Sequence, residues 1–236
     1  MTFLLQATGL KAYYGASQIL HGIDIAVRPG EQTALLGRNG MGKTTLLRSL
    51  MGLVADRRGQ IAFRGSDIAK AAPEAIARRG VALVPEGRGI FGSLSVVENL
   101  VMASRIGMGR RNPWTLDRVF SLFPRLKERR RNGGHQLSGG EQQMLALGRA
   151  LMTNPDLILI DEATEGLAPL IAQEIWRTLR LLSDEGLATI IVDKDFRSLS
   201  KISSQAIVLS KGEIVYAGSP AGLANQPHLL EKHLGV

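Results

Sequence analysis

Residues 35–52, "LLGRNGMGKTTLLRSLMG", concentrate the side chains that could hold phosphate. Gly37, Gly42, Lys43 and Thr44 fit GxxxxGK[ST], with the apolar "QTALL" before them and "LLRSLMG" after, the strand–loop–helix context that this motif requires. Glycines let the backbone turn so that successive N–H groups face one anion, and a helix starting near Lys43 adds the positive end of its dipole. Arg38, Asn39 and Gly40 complete the loop. Lys43 is expected to reach the β- and γ-phosphates of a nucleotide as a point charge, and the Thr44 hydroxyl to take one position on an octahedral Mg²⁺. Thr45 is counted with the nucleotide-binding residues, although helix packing alone also accounts for it. The alternative for the whole segment is a glycine-rich turn with a solvated lysine.

A second group lies far downstream. In "DLILIDEATEGLAP" four apolar residues precede Asp161 and Glu162, which places both acids at the C-terminal end of a buried strand, where open α/β sheets bind ligands. Asp161 suits a Mg²⁺-holding carboxylate and Glu162 a base that orients an attacking water, while capping of the next turn is the competing reading. A third group is "QLSGGEQQMLALGRALM": Ser138 and Glu141 have capping-box spacing around Gly139 and Gly140, and Met144, Leu147 and Leu151 share a helix face. That predicts a second helix N-terminus suited to an anion. One nucleotide does not need two distant cradles, so this one is expected to serve a nucleotide held by another subunit, against the alternative of an ordinary capped helix.

The elements that must position these residues follow from periodicity. Strands are expected at "ILHGIDIAV", "QTALLG", "GQIAFRG", "GVALVP", "DLILID", "ATIIVD" and "QAIVLS", with a hairpin in "SKGEIVYAGSP" and helices between the later strands. This predicts an α/β fold with a mainly parallel, helix-covered sheet and an antiparallel portion near the N-terminus. From about 93 to 151 the pattern turns helical, which implies a helical subdomain inserted in a single nucleotide-binding domain spanning 1–236.

The chain has 236 residues, 44% of them hydrophobic, enough for one core with a subdomain. It has no cysteine, and His21, His135, His228 and His233 are scattered, so neither a disulfide framework nor a thiolate or histidine metal site is expected. The N-terminus lacks a signal-peptide pattern and no apolar run is long enough to span a bilayer, so a soluble cytosolic chain is expected. The formal charge of +8 gathers partly at Arg110 and Arg111 and in "RLKERRRNGG". These runs contain no aromatic residue, which argues against nucleic acid; anionic lipid near a membrane partner suits them better, and a solvated face is the plain alternative.

"LSGGEQ", placed between "GRNGMGKTT" and "LILIDEATEGLAP", resembles the signature motif of ATP-binding cassette (ABC) ATPases, and the order of motifs matches theirs over almost the whole chain. The resemblance implies an ATPase using ATP and Mg²⁺, working as a head-to-tail dimer in which each ATP lies between one subunit's phosphate cradle and the other's signature. It places Tyr14, in "AYYG", where an aromatic ring stacks on adenine, unless that tyrosine only pairs strands. Within the family, "LVPEGRGIFGSLSVVENL", "DEATEGLAP" and the ending "EKHLGV" resemble the ATPase subunits of branched-chain amino acid importers. That implies a peripheral subunit at the cytoplasmic face of the inner membrane, paired with a second, different cassette, driving separate permease subunits and served indirectly by a periplasmic solute-binding protein. The resemblance puts Glu86 at the Mg²⁺ and the lytic water, where most cassettes carry glutamine, and the loop 86–91 near the permease. It puts Lys194, in "IIVDKD", at the switch-histidine position, with a local ion pair to Asp193 or Asp195 as the alternative. Ala163 replaces the usual proline. The competing functions are a soluble ABC ATPase acting on ribosomes or DNA, an exporter cassette, which would more often have its membrane helices fused to it, and a small-molecule P-loop kinase.

Overall fold

A computed structural model describes residues 3–105 and 112–235; the basic pair Arg110 and Arg111 lies outside the described residues. The chain opens with two long antiparallel strands, β1 (Leu5–Tyr14) and β2 (Ser17–Val27). β3 (Gln32–Leu36) leads to helix α1 (Lys43–Leu50), and β4 (Asp56–Phe63) turns into the short β5 (Ser66–Asp67). After α2 (Pro73–Arg78) and β6 (Val81–Val84) come α3 (Val96–Val101), α4 (Leu116–Leu122), α5 (Pro124–Glu128), a 3₁₀ turn (Gly134–Gln136) and α6 (Gly139–Met152). The chain then runs through β7 (Leu157–Asp161), α7 (Pro169–Asp184), β8 (Ala188–Val192), α8 (Phe196–Ile202), the hairpin β9 (Gln205–Ser210) and β10 (Glu213–Gly218), α9 (Pro220–Ala224) and α10 (Pro227–Leu234).

Two sheets result. One is antiparallel, in the order β2-β1-β4-β5; the other has six strands in the order β10-β9-β3-β8-β7-β6, all parallel except β10. The central strands β3, β7 and β8 are buried at every residue, as an apolar run covered on both faces must be. Because successive side chains on a strand point to opposite faces, β7 feeds two cores. Leu157 and Leu159 pack with α1 and the antiparallel sheet, including Leu10, Leu46 and Phe63. Ile158 and Ile160 pack with the helical layer, including Leu100, Met144 and Leu179.

Strand β1 is the element that periodicity does not reveal. Leu5 and Ala7 point inward, and then the pairing slips between Ala7 and Leu10, after which Leu10 and Ala12 point inward. Gly9, at φ +59°, sits in that bulge and donates its N–H to Asp24 Oδ1 at 2.7 Å. One extra residue breaks the period-2 signal and leaves a ten-residue central strand without a continuous pattern. The parallel sheet explains the site's location: the segments that follow β3, β6, β7 and β8 all emerge at one edge, carrying the phosphate loop, Glu86, Asp161 with Glu162, and Lys194.

Candidate nucleotide site

The phosphate loop leaves β3 at Gly37, whose φ is +138°; a Cβ there would stand 2.3 Å from the Leu209 carbonyl oxygen on β9. Only glycine satisfies both the torsion and the approach. Gly37→Ala is therefore expected to force β3 and β9 apart, lowering stability by roughly 2 kcal/mol or more in urea unfolding. At its far end the loop enters α1 through Gly42, in a left-handed conformation and with no side-chain cap. The first N–H groups of α1 thus have no side-chain acceptor and remain able to bind an anion. Lys43 is 9% exposed and curls back over its own loop, its Nζ donating to the carbonyl oxygens of Gly37 at 2.7 Å and Arg38 at 2.9 Å. Arg38 contributes that carbonyl while remaining exposed. Burial lowers the Lys43 pKa, an effect that the nearby Asp161 carboxylate opposes.

A cleft of about 370 Å³ brings Tyr14, Asn39, Gly40, Gly42, Lys43, Thr44, Thr45, Glu86 and Glu162 to one wall system. Tyr14 pairs strands, facing Ser17 across the β1–β2 hairpin, and at 47% exposure it also lines the cleft. Asp161, the last residue of β7, is 3% exposed, and its Oδ1 has no hydrogen-bond partner. Burial raises its pKa; a hydrogen bond from Thr44 opposes the rise, and the Glu86 carboxylate adds to it. A buried carboxylate with an orphaned oxygen beside a threonine hydroxyl is an oxygen donor set for a hard cation such as Mg²⁺. Among the described residues no cluster of three or more His, Cys, Asp or Glu could hold a metal, so most of the coordination shell would have to come from phosphate and water.

Glu162 follows at φ +56°, a left-handed position unusual for a residue with a Cβ. That turn sets its carboxylate on the wall shared by the cleft and an adjoining cavity of about 270 Å³. The second cavity is lined by Asn39, Lys43, Thr164, Glu165, Asp193 and Lys194, among others. The alternative for Lys194, a local ion pair to Asp193 or Asp195, is not the one formed: its ammonium is bound to the Glu165 carboxylate. Asp193 is taken up instead by the Thr164 N–H and hydroxyl, both at 2.8 Å, and by the Asp195 N–H at 2.9 Å. Periodicity gives no sign of Glu165, because an acid next to a turn glycine reads as an ordinary loop residue.

The signature residues stand apart. Ser138 caps α6, accepting the Glu141 N–H at 3.3 Å, while Glu141 accepts the Ser138 N–H at 2.8 Å, the reciprocal box predicted from their spacing. Gly140 is required by close packing, since a Cβ there would meet Ile171 Cγ2 of α7 at 2.3 Å. Neither cavity is lined by Ser138, Gly139, Gly140 or Glu141. A link absent from the sequence reading joins the two regions: Arg88, at φ +68° between two left-handed glycines, donates Nη1 to Gln142 on α6 at 3.1 Å.

A glycine cradle after a buried strand, a buried aspartate two strands away and a separate capped helix define a P-loop nucleotide-binding cassette. The chain belongs to the ABC transporter family, whose profile matches residues 20–165, and it is an ATPase of that family. It is 39% identical over 98% of its length to all of the "high-affinity branched-chain amino acid transport ATP-binding protein BraG" of Pseudomonas aeruginosa. It is also 32% identical, over 98% of its length and 97% of the relative, to the "lipopolysaccharide export system ATP-binding protein LptB" of Escherichia coli strain K12. In fold it resembles the crystal structure of a nucleotide-free ATP-binding cassette from an ABC transporter, with a TM-score of 0.83, 24% identity and 98% of both chains covered.

Proposed function

We propose that this chain is the ATP-binding and ATP-hydrolysing subunit of an importer for branched-chain amino acids or related small polar solutes. The observation that carries the reading is the end-to-end likeness to BraG, which exceeds the likeness to the export subunit. In this reading Lys43 and the N-terminus of α1 bind the β- and γ-phosphates, Tyr14 stacks on adenine, and Thr44, Asp161 and Glu86 hold Mg²⁺. Bound there, the ion would neutralise phosphate charge. Glu162 takes the proton of the attacking water, and Lys194 binds the terminal phosphate. A lysine ammonium has three donors and no acceptor, so Lys194 can hold phosphate but cannot orient the water as a neutral histidine would. Ser138 to Glu141 complete the nucleotide site of a second, different cassette, and the helical insertion at about 93–151 is the part that follows the membrane partner. No nucleic acid is involved.

In the same reading the permease docks beside the loop 86–91. An apolar groove of about 390 Å³ between β6 and α6 is lined by Leu53, Leu83, Pro85, Arg88, Ala103 and Arg149, among others. The loop 86–91 borders it, with Glu86 exposed and Phe91 44% exposed beneath the Arg149 guanidinium, 4.7 Å from the ring centroid. Among the described residues no helix is long and apolar enough to cross a membrane. In the proposed reading the chain is a peripheral subunit at the cytoplasmic face of the membrane, served indirectly by a periplasmic binding protein.

Leu53, 47% exposed on the groove rim, supplies a probe. A cysteine introduced there is expected to crosslink in high yield to co-expressed permease, and crosslinks only to cytosolic proteins would count against the docking. The importer reading itself is tested by deleting the gene: uptake of labelled leucine, isoleucine and valine should fall and be restored by the wild-type chain but not by Glu162→Gln. Unchanged uptake together with a defect in lipopolysaccharide export would overturn it.

A further inference from the structure

The cavity next to the phosphate cradle holds a charge pair outside the motifs for phosphate. Lys194, just after β8, is bound through Nζ to Glu165 Oε1, just after β7, and the two side chains are 56% and 43% exposed. Two further acids on this rim, Asp193 and Asp195, are occupied. Asp193 accepts from Thr164 and from the Asp195 N–H, and Asp195 caps α8 by accepting from the N–H and hydroxyl of Ser198. Glu165 has no other hydrogen-bond or ion-pair partner among the described residues. The pair therefore sits as a self-neutralising unit on the wall that also carries Lys43 and Glu162. Lys43 feels both of its members, the ammonium of Lys194 disfavouring its charge and the carboxylate of Glu165 favouring it.

We propose that Glu165 is a positioning residue that holds Lys194 at the edge of the nucleotide cleft and competes with the terminal phosphate for its ammonium, thereby setting the preference for triphosphate over diphosphate. The inference rests on the reading of the cleft as an ATP site. An exposed ion pair is weak and an ammonium is a mobile point charge, so exchange of one anion for another is cheap. A third phosphate extending past Lys43 towards Glu162 offers Lys194 a more highly charged partner, which it can take only by giving up Glu165. A diphosphate ends within the cradle and disturbs the pair little. Glu165 thus acts against the triphosphate selectively, through Lys194.

The test is titration of the intact subunit, with Mg²⁺, by a non-hydrolysable ATP analogue and by ADP, in the wild type, Glu165→Gln, Lys194→Ala and the double variant. Glu165→Gln should raise the preference for the analogue over ADP about three- to fivefold at low salt, and Lys194→Ala should lower it by a similar factor. In the Lys194→Ala background the gain from Glu165→Gln should shrink below about twofold, and in the single variant it should fade near 1 M salt. A merely structural role would alter both nucleotides alike. An unchanged preference in Glu165→Gln, or a full gain with Lys194 absent, overturns the proposal. A wild-type chain that binds neither nucleotide would instead overturn the ATP-site reading on which it rests.

Discussion

Glu162→Gln should keep nucleotide bound and lose turnover by about 10²-fold or more, because it removes a base without changing a shape. Glutamine is isosteric, so the left-handed turn at φ +56° that aims this side chain into both cavities survives the substitution. What disappears is the ability to accept the proton of the attacking water; the N–H groups of the cradle, Lys43 and Thr44 are untouched. Affinity for ATP should therefore be equal to that of the wild type or higher, since a negative charge next to the terminal phosphate has gone. Single-turnover hydrolysis beside equilibrium binding separates the two effects, and hydrolysis at the wild-type rate would falsify the assignment of Glu162.

Lys43→Ala should show the opposite pattern, with nucleotide affinity falling about 10- to 100-fold, the weight of one or two charge-assisted hydrogen bonds. Without nucleotide, Lys43 spends its donors on Gly37 and Arg38 carbonyls of its own loop. Burial is the main cause of its lowered pKa, so the folded chain holds this proton less tightly than the unfolded one does. At a pH below both values the buried ammonium thus detracts from stability; the loss is relieved as pH rises through the lowered pKa towards that of an ordinary lysine. Phosphate supplies the missing counter-charge, so at the same ATP concentration the rise in melting temperature should be clearly smaller in Lys43→Ala than in the wild type. A variant that melted higher with ATP to the same extent as the wild type would show that the lysine does not contact the nucleotide.

Both predictions concern residues that were legible from sequence, and the reason is local. A phosphate loop needs glycine where the backbone is left-handed or crowded, as at Gly37 and Gly42, and it lies between a buried strand and a helix whose patterns are unmistakable. The α6 capping box was equally plain, because Ser138 and Glu141 answer each other within one turn. What stayed hidden depends on contacts between distant segments. Strand β1 was masked by the bulge at Gly9, which breaks the alternation halfway along a central strand. Lys194 finds its acid 29 positions upstream rather than next door, since Asp193 is already engaged with Thr164. The tie from Arg88 to Gln142 spans 54 positions and leaves no periodic trace.

The separation of Ser138 from the cradle has a consequence for genetics. If two unlike cassettes meet head to tail, every composite site draws on both genes, so a lesion at Lys43 and a lesion at Ser138 of this chain fall in different sites even though they share one allele. Placed together here they would silence both sites. Placed in trans, with Lys43 altered in this gene and the signature serine altered in its companion's, they would fall in the same site and leave the other whole. Pairwise crosses of such alleles would therefore sort mutations by site rather than by gene, and the pattern of complementation would give the pairing of the two cassettes without a structure of the complex.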